Sequence, residues 1–215
     1  MSSDAQQALA RGAALTGHFR VLGAPAVGSA LAAGSVRDAS PSWVRLRDTA
    51  TPAGLERTIA QVRRAAPGCS ETVAAALFAS SVAGALAAPI TGALLAERRA
   101  ALPDAGQTWL RPAFTGVDAI ATGQATLTVL PGDLLANRPA ARASPDVDCG
   151  PDVDSSPDVV AVPDLDRLRV TVLDGYRALL VPLLDLVAAT TRRGRRALWA
   201  DAGDRLATYL LLAGR

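Results

Sequence analysis

Lysine is absent, and all 22 basic residues are arginine. Schiff-base chemistry on a lysine amine and a lysine-dependent phosphate loop are thereby excluded. Cysteine occurs twice, at Cys69 and Cys149, and histidine once, at His18. This inventory cannot supply the four cysteines of a typical iron-sulfur site, the two-cysteine, two-histidine set of a Rieske centre, or a structural zinc set. An isolated His18 reads as a surface or half-buried imidazole, and one histidine defines no Ser-His-Asp arrangement. Aromatic residues make up only 4% of the chain, so a core must be built from Ala, Leu and Val. That composition suits closely packed helices better than a sandwich. A net charge of +2 gives no strong field for nucleic acid or an acidic membrane surface. The N-terminal MSSDAQQALARGAAL carries Asp4 and no compact apolar core, so no secretory signal is expected.

Half of the residues are apolar, which excludes disorder for most of the 215-residue chain. Arginine in place of lysine, with so much alanine, also fits a coding bias toward GC-rich codons. The longest apolar run, residues 72–96, has no charge and is fenced by Glu71 and by Glu97-Arg98-Arg99. Its length matches the roughly 20 residues that span a bilayer. Its content of Ala, Gly, Ser and Thr, its central Pro89 and its lack of flanking aromatics argue against insertion. Ser80, Gly84, Ala88 and Gly92 form a small ridge beside the larger Phe78, Val82, Leu86, Ile90 and Leu94. A small ridge admits a second backbone at close range, in membranes and in dense cores alike. The segment is read as a buried core helix, N-capped by Ser70, running to about Leu102, and kinked or split at Pro89.

Around it, residues 4–15 suit a short helix, and Leu55, Ile59 and Val62 give an amphipathic helix over 52–66 that Pro67-Gly68 ends. TWLRPAF and GQATLTVL have the composition of short strands separated by glycine-containing turns, which predicts an antiparallel hairpin or small sheet. Leu165, Leu168, Val172, Tyr176, Leu179, Leu183 and Val187 follow helical spacing around an interior Pro182. RRGRR breaks that pattern before a final helix carrying Leu198, Trp199, Leu206, Tyr209 and Leu210. The expected fold class is α+β, predominantly helical, with long proline-kinked helices packed on the small sheet or hairpin.

From Ser144 a six-residue repeat, PDVDCG-PDVDSS-PDVVAV-PDLDRL, places prolines at 145, 151, 157 and 163. Clustered aspartates suggest calcium, but EF-hand spacing is missing and a proline in every unit favours extended, solvated linker. Residues 137–166 are therefore expected to be an acidic Pro/Asp-rich insert without fixed structure. It interrupts a single domain made of an N-terminal helical part (1–69), the long kinked helix plus strands (70–136), and a C-terminal helical part (167–215).

The order ASSVAGALAAPITGALLAERRAAL, TWLRP, GYRALLVPLLDLVAATT, RRALWADAGDRLATYLL resembles the FhuF-like ferric siderophore reductase family. The points of contact are the proline of the first long helix, the Val-Pro of the second, and Leu198-Trp199 followed by a short polar pair; they span roughly residues 70–215. The resemblance implies a cytoplasmic oxidoreductase that accepts a ferric hydroxamate-type siderophore or a similar small molecule and releases iron by one-electron reduction. The composition of residues 72–96 and the low net charge, not the resemblance, predict no membrane span and no nucleic-acid partner. Family members hold a [2Fe-2S] cluster on a C-terminal Cys-Cys pair followed by C-x-x-C. Here the chain stops where that tail would follow, and Cys69 and Cys149 match neither its position nor its spacing. No metal ligand carries over, and a [2Fe-2S] cofactor is expected only if a tail or partner supplies it. A non-redox siderophore or metabolite binding protein and a structural helical protein are the alternatives. Trp109, Arg111, Arg195, Arg196 and Trp199 are the candidate ligand-binding residues, since indole faces and guanidinium donors suit a planar polar ligand. The competing reading makes the tryptophans core anchors. The Arg192–Arg196 cluster likewise reads either as an anion grip or as cations that offset a helix dipole.

Overall fold

A computed structural model describes residues 4–16, 20–23, 43–113, 116–136 and 159–214. His18, Cys149 and residues 137–158 of the expected insert lie outside the described residues. The chain is α+β and predominantly helical. Its elements are α1 (Asp4–Thr16), β1 (Arg20–Gly23), β2 (Val44–Arg45), α2 (Leu46–Thr49), α3 (Pro52–Ala65), α4 (Glu71–Glu97), β3 (Ala100–Pro103), β4 (Thr108–Ala113), β5 (Gly116–Thr122), β6 (Ala125–Val129), β7 (Val159–Ala161), α5 (Leu165–Thr190) and α6 (Arg195–Ala213).

The apolar run forms α4, and the rest of the fold is arranged around it. Ser70 caps its start by accepting from the Val73 N–H at 3.3 Å, and Glu71 faces the positive end of the dipole. The helix continues through Pro89, whose missing N–H leaves the Ala85 carbonyl without its usual donor. In its most apolar 18-residue window, 83% of the residues are buried inside the protein. A helix apolar all round is the pattern of a core helix enclosed by its own chain. α1, α3, β5, α5 and α6 all pack on it. Fully buried Phe78, Leu86 and Ile90 each contribute about 1.5–3 kcal/mol of transfer free energy.

The small ridge does what its spacing suggests. α1 crosses α4 where Gly12 meets Gly92, so closely that a Cβ on Gly92 would lie 2.5 Å from the Gly12 Cα. Earlier on the same ridge, Arg205 of α6 donates to Ser80 Oγ at 3.0 Å. The buried Tyr176 hydroxyl of α5 lies 3.1 Å from both the Ala83 carbonyl of α4 and the Ala202 carbonyl of α6, tying three helices together. Burial pushes this phenol's pKa well above its ordinary value, so it stays protonated as a donor.

α4 ends earlier than the sequence pattern suggests. Arg98 takes a left-handed conformation (φ 51°), its N–H and that of Arg99 close back on the Leu94 and Ala93 carbonyls, and residues 100–103 leave as strand β3 rather than as a last helical turn. Arg99 fixes the exit through a bidentate pair with Asp133 (2.7 and 3.0 Å) and a bond to Glu97, which also binds Arg11 of α1.

The strands form two sheets, ordered β1-β5-β4-β2 and β3-β6-β7. β3–β4 and β5–β6 are two arms of one antiparallel ribbon, bent where Asp104 N–H donates to Gln124 O (3.0 Å) and Gly123 N–H to Gln107 O (2.7 Å). Gln6 of α1 holds this bend by donating to the Thr122 and Gly123 carbonyls. β1 and β7 add parallel edges to β5 and β6, a pairing the local sequence does not signal. β7 occupies residues expected to belong to the unstructured insert; the β-branched Val159 and Val160 pair with Leu127 and Thr128. Pro112 is tolerated in β4 because the ladder shifts by one residue between Arg111 and Pro112, leaving Asp118 as the extra residue on β5.

Candidate functional site

The five candidate residues fall on two surfaces. Arg195, Arg196 and Trp199 line one open groove of 520 Å³, together with Arg177 of α5. Trp109 and Arg111 are not part of its wall.

Gly194 caps α6 with no side-chain bond, so Arg195 and Arg196 occupy its first turn and Trp199 follows one turn later on the same side. No acid stands in that turn. Two cations at the positive end of a helix dipole oppose it, by about 0.3–1 kcal/mol each. The offsetting of a dipole therefore accounts for Arg192 and Arg193, which follow the C-terminus of α5, but not for Arg195 and Arg196. Arg195 Nε lies 2.7 Å from Asp185 Oδ1, an ion contact lacking the alignment of a hydrogen bond, and both side chains are about half exposed. Among the described residues Arg177 and Arg196 have no carboxylate partner. Trp199 serves both readings of the sequence: it packs against the core cluster and also lines the groove. The arrangement offers guanidinium forks in the same groove as a half-buried indole, at a helix N-terminus.

Trp109 and Arg111 instead belong to the open face of the first sheet. Arg45 lies over the Trp109 ring (5.6 Å) and Arg111 over the Trp43 ring (5.7 Å), making an alternating square across β2 and β4. Arg111 also forms a bidentate pair with the bulged Asp118, both bonds 2.8 Å, which raises the guanidinium pKa further. β2 has only two paired residues, and cation–π contacts worth about 0.5–1 kcal/mol each hold so short an edge strand in place. These side chains already satisfy one another, unlike those of the groove.

The sequence does not distinguish Arg177, which stands on a helix with no marking neighbour. Only the packing of α5 against α6 brings it to Trp199.

The described residues contain no group of three or more His, Cys, Asp or Glu side chains able to hold a metal ion, and Cys69 is a single free thiol. These described residues do not fit a [2Fe-2S] cluster. No protein-family model, curated protein sequence or solved structure matches this chain.

Proposed function

We propose that the chain is a FhuF-like protein of ferric siderophore handling in the cytoplasm, which holds an anionic iron(III) chelate in the groove formed by Arg177, Arg195, Arg196 and Trp199. The observation that carries this reading is the pair of guanidiniums without carboxylate partners, Arg177 and Arg196, beside the Trp199 ring. The volume, 520 Å³, lies within the range of small-molecule sites, and arginine forks match carboxylate, catecholate or hydroxamate oxygens. The helical order that resembles the ferric siderophore reductases supplies the link to iron. Any reductive step requires an electron from a partner. The lack of a ligand set among the described residues favours a second form of the same reading, a binding module without redox chemistry of its own.

Titration with ferric citrate or a ferric tris-catecholate, both anionic, tests the reading through tryptophan fluorescence. Saturable quenching that survives in Trp109→Phe and disappears in Trp199→Phe supports it. Quenching carried by Trp109 or Trp43, or no saturable response to any ferric chelate, contradicts it.

A further inference from the structure

A second groove lies on another side of the molecule, between α3 and β2. Its volume is 350 Å³, and Val44, Arg57, Thr58, Ala60, Gln61 and Arg64 line it. We propose that this groove is a separate binding site for a small ligand carrying two oxyanion groups.

Several polar residues of α3 have structural tasks. Leu55, Ile59 and Val62 face the core, and Thr51 caps the start by accepting from Gly54 N–H at 3.1 Å. Arg63 has a structural task, donating to the Cys69 carbonyl at 3.2 Å beyond the helix end. Thr58 is buried and donates to Gly54 O at 2.9 Å, which leaves its hydroxyl oxygen free to accept only. Arg57, Gln61 and Arg64 have no such task. They stand at i, i+4 and i+7 on one stripe, and among the described residues none has a hydrogen-bond or ion-pair partner.

The wall thus holds two uncompensated positive charges, one carboxamide and no carboxylate. Seven residues of helix separate the two arginine Cα atoms by about 10 Å, and both long side chains can converge on one small ligand or clasp its two ends. Ala60 and Val44 add an apolar surface for a short carbon chain between the charged groups. Arginine forks bind carboxylate and phosphate oxygens in pairs, so two forks define a dianion. A solvated helix face would show the same residues with no groove opposite them. Here Val44 of β2 lines the groove together with the helix residues.

Calorimetric titration with inorganic pyrophosphate and, separately, with glutarate distinguishes a phosphate from a carboxylate ligand. Both titrations are made in an Arg177→Gln/Arg196→Gln background, which removes the unpartnered guanidiniums of the α6 groove; the expected result is saturable binding of one molecule of at least one probe, weakened tenfold or more by Arg57→Gln/Arg64→Gln. Arg57 and Arg64 are exposed, so the double variant keeps the fold, which far-ultraviolet circular dichroism verifies. Absence of saturable binding by both probes overturns the proposal, as does binding that the Arg57/Arg64 variant retains. Because the background already lacks the unpartnered guanidiniums of the α6 groove, this result is independent of the siderophore reading.

Discussion

Replacing Gly92 by alanine inserts a methyl group into the contact between α4 and α1. Its carbon would lie 2.5 Å from the Gly12 Cα and 2.6 Å from the Gly12 carbonyl carbon, and backbone atoms cannot rotate out of the way as a side chain can. Overpacking of this kind costs about 1–3 kcal/mol, against which the better helix propensity of alanine returns about 0.8 kcal/mol. The net expectation is a loss of roughly 0.2–2 kcal/mol, with α1 displaced. Gly203, exposed in the interior of α6, is the internal control, because nothing lies within 4 Å of a Cβ placed there. Gly203→Ala is expected to stabilise by about 0.5–1 kcal/mol through propensity and unfolded-state entropy. The same chemical change thus carries opposite signs at two sites. Urea unfolding monitored by circular dichroism reads both as shifts in midpoint at constant slope. A Gly92→Ala protein as stable as the parent would refute the close crossing on which the core arrangement rests.

Tyr176→Phe removes the hydroxyl shared between α4 and α6 and is expected to cost about 1 kcal/mol in urea unfolding, with no change in secondary structure. Hydrogen bonding from Arg11 holds the Glu97 carboxyl below its ordinary value of 4.5, and Arg99 holds Asp133 below 3.8. A depressed carboxylate pKa contributes stability that is complete above the ordinary value and lost as pH falls through the native one. Stability should therefore decline from about pH 4.5 downward, and Glu97→Gln/Asp133→Asn should have a flatter acid limb in thermal melts. Arg196→Glu replaces a cation that opposes the α6 dipole by an anion that favours it. It is expected to stabilise the protein by about 0.6–2 kcal/mol while weakening anion binding in the groove, so unfolding and binding measurements should move in opposite directions.

Parts of this architecture are legible in the sequence because their signals are local. Ser70, Glu71 and the apolar run mark the start and the burial of α4, and the Gly/Ser/Ala ridge marks where a neighbouring backbone approaches. Its end is not legible, since the left-handed cap is Arg98 where a glycine would ordinarily announce it. Ala100–Pro103, rich in alanine and leucine, continues a helical pattern and becomes strand only because β6 pairs with it. β1, β2 and β7 are four residues or shorter and owe their existence to distant partners. The candidate site shows the same division. Arginine and tryptophan were recognisable by type, but their sorting into a self-satisfied square on the sheet and an unsatisfied groove at α6 depends on tertiary contacts. Arg177 is visible only in the groove.

Equilibrium binding of a ferric siderophore chelate to the parent and to Arg177→Gln/Arg196→Gln tests the central claim most directly. Both residues are exposed, so the variant should keep its fold. The account predicts one saturable site in the parent, an affinity lower by tenfold or more in the variant, and weakening with added salt as charged contacts are screened. Equal affinity in both proteins, or no saturable binding in the parent, would contradict it.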